Sequence, residues 1–219
     1  MTFQVGIFGK DGLVLAGDTR AVHEDNVRWT TTQSKFIHDP DMQIVVAQSG
    51  HSVSLKVAQD LVRENWDGDV VKGREIAESV YAQEFEGIHS ALRDQYPTQL
   101  IVVRPKERRM FHLCVRERTE VRECCAGKLV SGDSATVALF FLERYSNPSM
   151  CLKELTRVAA LTVWLTGEIN PLYVNGLEIM EFPDGGNPRR LDGAELDQLT
   201  EWARNADSRI RRLLAMATP

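Results

Sequence analysis

The chain opens on a period-two alternation. Phe3, Val5 and Ile7 alternate with Gln4 and Gly6, the pattern of a half-buried strand. Lys10-Asp11-Gly12 reads as a turn, and Leu13 to Ala16 resumes as a fully apolar strand running into Gly17-Asp18-Thr19-Arg20. The resulting hairpin carries Thr2 at one end and returns Asp18 beside it. Ala21 to Thr32 is polar with isolated apolar residues and predicts a short strand near Val27 to Thr31. Lys35-Phe36-Ile37 predicts another, broken by Asp39-Pro40-Asp41, and the β-branched run from Gln43 to Gln48 predicts a third. After Ser49-Gly50 the period changes, and Val53, Val57, Leu61 and Val62 share one helical face up to Trp66. Asp67 to Gly73 predicts a loop. Arg74 to Tyr96 predicts a longer helix with Ile76, Val80, Tyr81, Phe85, Ile88 and Leu92 on its apolar stripe, stopped by Pro97.

Strands return at Gln99 to Val103, Met110 to Val115 and Thr119 to Cys124, the first two joined through the basic turn Arg104 to Arg109. Gly127 to Val130 leads into Ser131-Gly132-Asp133-Ser134, read as a loop entering a helix from Ala135 to Tyr145. Asn147-Pro148-Ser149 breaks that helix, and Cys151 to about Thr166 predicts the next one. Leu177 to Phe182 predicts a strand, Pro183 to Asn187 a turn, and Gly193 to Ala217 a closing helix. Blocks of strands alternating with pairs of helices suit an α+β fold rather than an alternating βαβ sheet. Two sheets face to face, with helices on both outer faces, use these elements well: a four-layer αββα sandwich. No internal repeat, low-complexity tract or long linker divides the chain, so residues 1–219 are read as one domain.

Composition changes this picture little. With 43% apolar and 26% charged residues, the chain is that of an ordinary soluble protein, and no run approaches the roughly 20 apolar residues of a membrane helix. No signal-peptide pattern is present, which predicts a cytoplasmic protein. A net charge of −5 argues against nucleic acid as a partner. Cys114, Cys124, Cys125 and Cys151 form no CxxC pair and have no histidine at finger-like spacing, so they are read as buried or inert thiols with no metal site. GDSATVA shares GDS with trypsin-like proteases but lacks their second glycine and a matched His-Asp context. The Glu-rich stretch Arg74 to Asp94 is read as a solvated helix face.

Candidate chemistry begins at Thr2. Once Met1 is removed, its α-amine, with an unperturbed pKa of roughly 8, lies within reach of its own Oγ, so one residue holds both nucleophile and general base. Asp18 ends an apolar strand, where an unpartnered carboxylate is costly to bury. Lys35 opens the strand SKFIH. Gly50 closes QIVVAQSG just before a helix, where exposed backbone N–H groups stabilise an oxyanion, and Ser131 lies at a similar junction.

Together, Thr2 and the following strand, the KDG turn, LVLAGDTRA, SKFIH, IVVAQSG and LVSGDSATVALFFLE resemble the β-subunits of the proteasome and the related bacterial heat-shock-locus peptidase. Both are N-terminal nucleophile hydrolases, and the resemblance points to a bacterial proteasome homologue. It covers the first fifty residues closely and the Ser131 region well. It implies Thr2 as nucleophile, Lys35 as the cation that lowers the hydroxyl's pKa, and Asp18 as the group that keeps Lys35 charged and oriented. Gly50 N–H would form the oxyanion hole, and Ser131 would hydrogen-bond near the α-amine. Counting on from Ser131 reaches Glu168, in LTGEINPLYVNGLEI, where the family's usual residue is Asp. The downstream serine of the proteasome pattern has no counterpart around Pro171 to Tyr173, and YVN resembles the heat-shock-locus peptidase instead. Gln48 is a candidate lining of the specificity pocket.

The implied activity is a threonine-type endopeptidase in a homo-oligomeric ring, acting on peptides or unfolded proteins without a cofactor. An ATPase unfoldase is left open as a further partner. Two alternatives stand beside it: a catalytically silent ring subunit acting as scaffold or gate, and an amidase for small molecules that uses the same nucleophile. The mechanism requires Thr2, Asp18 and Lys35 to converge, with Lys35 Nζ about 3 Å from the Asp18 carboxylate or Thr2 Oγ.

Overall fold

The computed structural model describes residues 3–24, 28–50, 52–86, 97–132, 134–172 and 174–216. Met1, Thr2, Val27, Ile88, Leu92, Asp94, Tyr96, Asp133, Tyr173 and Ala217, named above, lie outside the described residues. The architecture is a four-layer αββα sandwich built on two five-stranded antiparallel sheets.

The opening hairpin forms β1 (Phe3–Phe8) and β2 (Gly12–Gly17) and lies at the heart of the first sheet. β10 (Lys128–Gly132) flanks β1, while β11 (Glu178–Pro183) and β12 (Arg189–Arg190) continue beyond β2. The second sheet runs in order β5 (Phe36–His38), β6 (Val45–Gly50), β7 (Thr98–Arg104), β8 (Arg109–Val115) and β9 (Thr119–Glu123). A two-stranded ribbon of β3 (Arg20–Glu24) and β4 (Arg28–Thr32) leaves the sandwich after β2. β3 falls in the polar stretch for which the sequence predicts no strand of its own.

Helices α1 (Val53–Arg63) and α2 (Val70–Glu84) cover the second sheet, burying Val57, Leu61, Trp66, Ile76 and Val80 against Leu100, Val102 and Phe111. α2 begins at Val70, inside the predicted loop, because the Asp69 carboxylate accepts hydrogen bonds from the N–H groups of Val71 and Lys72 at 2.7 and 3.0 Å. α3 (Ala135–Tyr145) and α4 (Leu152–Ile169) cover the first sheet through Leu142, Leu155, Ala159 and Val163 against Phe3, Val5, Val14 and Ile179. α5 (Gly193–Met216) packs outside α4. None of the described helices is long and apolar enough to cross a membrane.

β1 corrects the expected half-buried strand, since both of its faces are buried. Phe3, Val5 and Ile7 meet the α3–α4 layer, while Gln4 and Gly6 face the second sheet, where a side chain on Gly6 would collide with Met110. The alternation marks two different buried surfaces rather than core and solvent. All four cysteines are free; Cys125 is exposed and the other three are half-buried.

Candidate active site

Register places the residues that line the space between the sheets in three successive levels. At the outermost level Phe8 pairs with Leu13, and Leu13 with Phe182. At the next, Gly6 lies between Leu129 and Leu15, and Leu15 pairs with Met180. At the third, Gln4 lies between Ser131 and Gly17, and Gly17 pairs with Glu178. The facing sheet changes at the same depth: Val45 opposite Val103 and Ala47 opposite Ile101 give way to Ser49 opposite Gln99. The layer is therefore apolar at one end and polar at the other, and Thr2 precedes the strand at the polar end.

Asp18 leaves β2 at this level and is fully buried. Its two oxygens accept the N–H of Phe3 and the N–H of Arg20, each at 3.0 Å. The residue directly after Thr2 is thus held by the Asp18 carboxylate. Lys35 is 6% exposed, and its charge is felt at both Asp18 and Glu178. Burial dominates and pushes the Lys35 ammonium below lysine's ordinary value, while Asp18 first and Glu178 second pull it back up. The structure thus brings Asp18 and Lys35 into one buried cluster.

Glu178 completes that cluster and was not singled out in the sequence. Its carboxylate is 1% exposed and accepts the Lys35 backbone N–H at 3.0 Å and the Ser34 hydroxyl at 2.7 Å. Arg190 of β12 closes its outer side at 2.6 Å. The signal for it was present, because LEIMEF sets a carboxylate against an apolar strand just as LVLAGD does for Asp18.

Ser131 lies in β10 rather than in the expected loop, paired with Gln4. It is 1% exposed, and its Oγ has no hydrogen-bond partner among the described residues; neither has the amide of Gln4. Gln99 accepts the Gly132 N–H at 2.9 Å from the facing sheet. Gly50 closes β6 with a φ of +112°, and a side chain there would run into the Pro97 carbonyl, so only glycine fits. α1 begins three residues later. Gln48 is 8% exposed and accepts the Ser54 hydroxyl at 2.7 Å, so it braces α1 against β6.

Glu168 is exposed near the end of α4, and its carboxylate meets Arg211 of α5 at 3.7 Å. It lines a cavity of about 330 Å³ with Trp164, Asn175 and Thr200. The segment after it does reach the site. Arg20 donates to the Pro171 carbonyl at 2.6 Å, Thr19 N–H donates to the Asn175 carbonyl at 3.1 Å, and Asn170 Nδ2 donates to Ser134 Oγ at 3.1 Å. What this loop supplies here is backbone and amide contacts.

No known family's sequence profile matches the chain, and no curated protein matches it in sequence. Solved structures do match in fold. The Anbu complex of Pseudomonas aeruginosa, described as a helical assembly, superposes with a TM-score of 0.74 at 14% identity, covering 99% of this chain and 97% of that one. Anbu of Yersinia bercovieri, described as an ancestral β-subunit, gives 0.72 at 14% identity over 99% and 97%. Anbu from Hyphomicrobium sp. strain MC1 gives 0.66 at 16% identity over 99% and 98%. At such identities the likeness is one of fold: the four-layer αββα sandwich.

Proposed function

We propose that the chain is a threonine-type endopeptidase, a single proteasome-like domain spanning residues 1–219 that assembles with copies of itself. The observation that carries this reading is the buried Asp18–Lys35 pair clamped to Phe3, the residue next to Thr2. Two buried charges are costly in a fold that needs neither for its core. A task at the adjoining hydroxyl explains their retention. Assembly is supported by the described helical complex of the similar Anbu fold, and by Leu139 and Phe140 of α3, which stand 43% and 67% exposed.

In the proposed mechanism, Thr2 Oγ attacks the carbonyl carbon of a peptide bond. Its proton passes to the Thr2 α-amine and then to the leaving amine as the C–N bond breaks, which leaves an ester on Oγ. Water attacks that ester, gives its proton to the same amine, and releases the acid and the restored hydroxyl. Lys35 lowers the hydroxyl's pKa by its charge, and Asp18 keeps that charge in place. The Gly50 N–H stabilises the oxyanion. Ser131 Oγ, with no other partner among the described residues, is available to the α-amine.

Initial rates on fluorogenic peptides test the reading. Thr2→Ala is expected to fold and assemble as the parent does while losing at least about 10³-fold in rate, and Thr2→Ser to retain part of it. Thr2→Ala cleaving at the parent rate overturns the reading. A parent with Met1 removed that assembles but cleaves nothing favours the silent ring subunit, and cleavage of small amides alone favours the amidase.

A further inference from the structure

Around Lys35 the charges alternate. Asp18, just after β2, and Glu178, at the start of β11, both favour its charged form, and Arg190 on β12 pairs with Glu178 as a second cation. The contacts of Glu178 differ in kind from those of Asp18. Asp18 grips the backbone at Phe3 and Arg20, on the nucleophile's side. Glu178 grips the backbone and hydroxyl of Ser34-Lys35, on the cation's side. Lys35 is further held by its own carbonyl, which accepts the Gln48 N–H at 3.0 Å. A carboxylate 1% exposed, spending both oxygens on the segment that carries the lysine, fixes where the lysine's side chain starts.

We propose that Glu178 is a positioning residue for Lys35, holding the Ser34-Lys35 backbone in register with β11, and that Arg190 sets how much of the Glu178 charge Lys35 feels. The proposal rests on the catalytic reading of Lys35 given above, yet its electrostatic half is measurable without any activity. Removing the Glu178 charge takes away an anion that favours the protonated lysine. Removing Arg190 exposes more of that anion. The two changes therefore move Lys35 in opposite directions, whereas a purely structural role moves neither.

The direct experiment is a pH titration of the Lys35 side-chain resonance in protein carrying ¹³C-lysine. The chain has only seven lysines, and Lys35→Arg assigns the signal. Glu178→Gln is expected to lower the Lys35 midpoint by about half a unit or more, and Arg190→Gln to raise it by a smaller amount. Arg190 is half exposed, so its variant keeps the proposal testable even where Glu178→Gln folds poorly. Midpoints that stay at the parent value in the folded variants, or move in the same direction, overturn the proposal. Peptide cleavage supplies the second readout: Glu178→Gln is expected to lower kcat roughly tenfold with KM within about twofold, and Glu178→Asp to recover part of the loss. A parent that cleaves nothing while the midpoints diverge refutes the peptidase reading and leaves the Glu178 coupling intact. An unchanged kcat in Glu178→Gln with an active parent refutes the positioning role alone.

Discussion

The two ends of the space between the sheets are built from the same strands in the same register, yet obey different rules. At one end Phe8, Leu13, Leu15, Val45, Ile101, Val103, Met180 and Phe182 interdigitate, as a fold requires of two sheets packed face to face. Two residues further along the same strands, Gln4, Gly17, Glu178, Ser131, Ser49 and Gln99 take those places, joined by Asp18 and Lys35. The apolar end stabilises the sandwich. The polar end gives up apolar burial, holds charges that lose their hydration, and leaves the Gln4 amide and the Ser131 hydroxyl unpartnered among the described residues. A chain selected for stability alone has no use for that second end, which is why its chemistry reads as functional.

Lys35→Met breaks the polar end most severely. It leaves Asp18 and Glu178 buried against no lysine charge, an expected loss of about 3–5 kcal/mol in denaturant unfolding. Peptide cleavage is expected to fall roughly 10²–10⁴-fold. The pH dependence carries a definite sign. Lys35 binds its proton less tightly when folded than when unfolded, so folding is penalised at every pH below its folded value. The penalty is relieved as pH rises from there toward lysine's ordinary 10.5. Between the parent and Lys35→Met, the stability difference should therefore shift in the parent's favour as pH rises through that window. A difference that does not change with pH contradicts the cluster's electrostatics.

Leu15→Ala strikes the apolar end. It is expected to cost about 2–5 kcal/mol in unfolding, while the molecules that remain folded cleave peptide at the parent rate. Equal loss of rate and stability there erases the contrast between the two ends. The smallest expected effect is also the sharpest for the contrast. Gln4→Met keeps the volume of the side chain and removes a buried amide that makes no hydrogen bond among the described residues, so thermal or denaturant unfolding should show a gain of about 1 kcal/mol. A loss of that size shows instead that the amide is satisfied in the folded protein.

How much of this was legible in the sequence depended on what each pattern reports. The apolar runs of β2, β6 and β7 and the helical face of α1 mark burial directly, and burial set those elements. Alternation at Gln4 and Gly6 marks only that two faces differ, so it could not distinguish solvent from a second sheet. Ser-Gly-Asp-Ser carries turn residues and so predicts a loop at Ser131, while pairing with β1 keeps that residue in a strand. Asp18 stood out as a carboxylate at the end of an apolar strand. Glu178 carries the same signal at the start of an apolar strand, whereas Glu168, the residue that a count from Ser131 reaches, lies on the exposed end of α4. The links from Arg20 to Pro171 and from Ser34 to Glu178 join residues more than 140 positions apart, and no local pattern encodes them.

The central claim, that the polar end serves the Thr2 hydroxyl, is tested most directly by covalent trapping. The purified, assembled protein is treated with a peptide-like β-lactone, and the site of acylation is located by mass spectrometry of the N-terminal peptide. The account expects Met1 to be absent and one acyl group on Thr2 Oγ, with no adduct on Thr2→Ala and a rate at least tenfold lower in Lys35→Met. Protein whose N-terminus is Thr2 and which stays unmodified, or an adduct carried equally by Thr2→Ala, contradicts it.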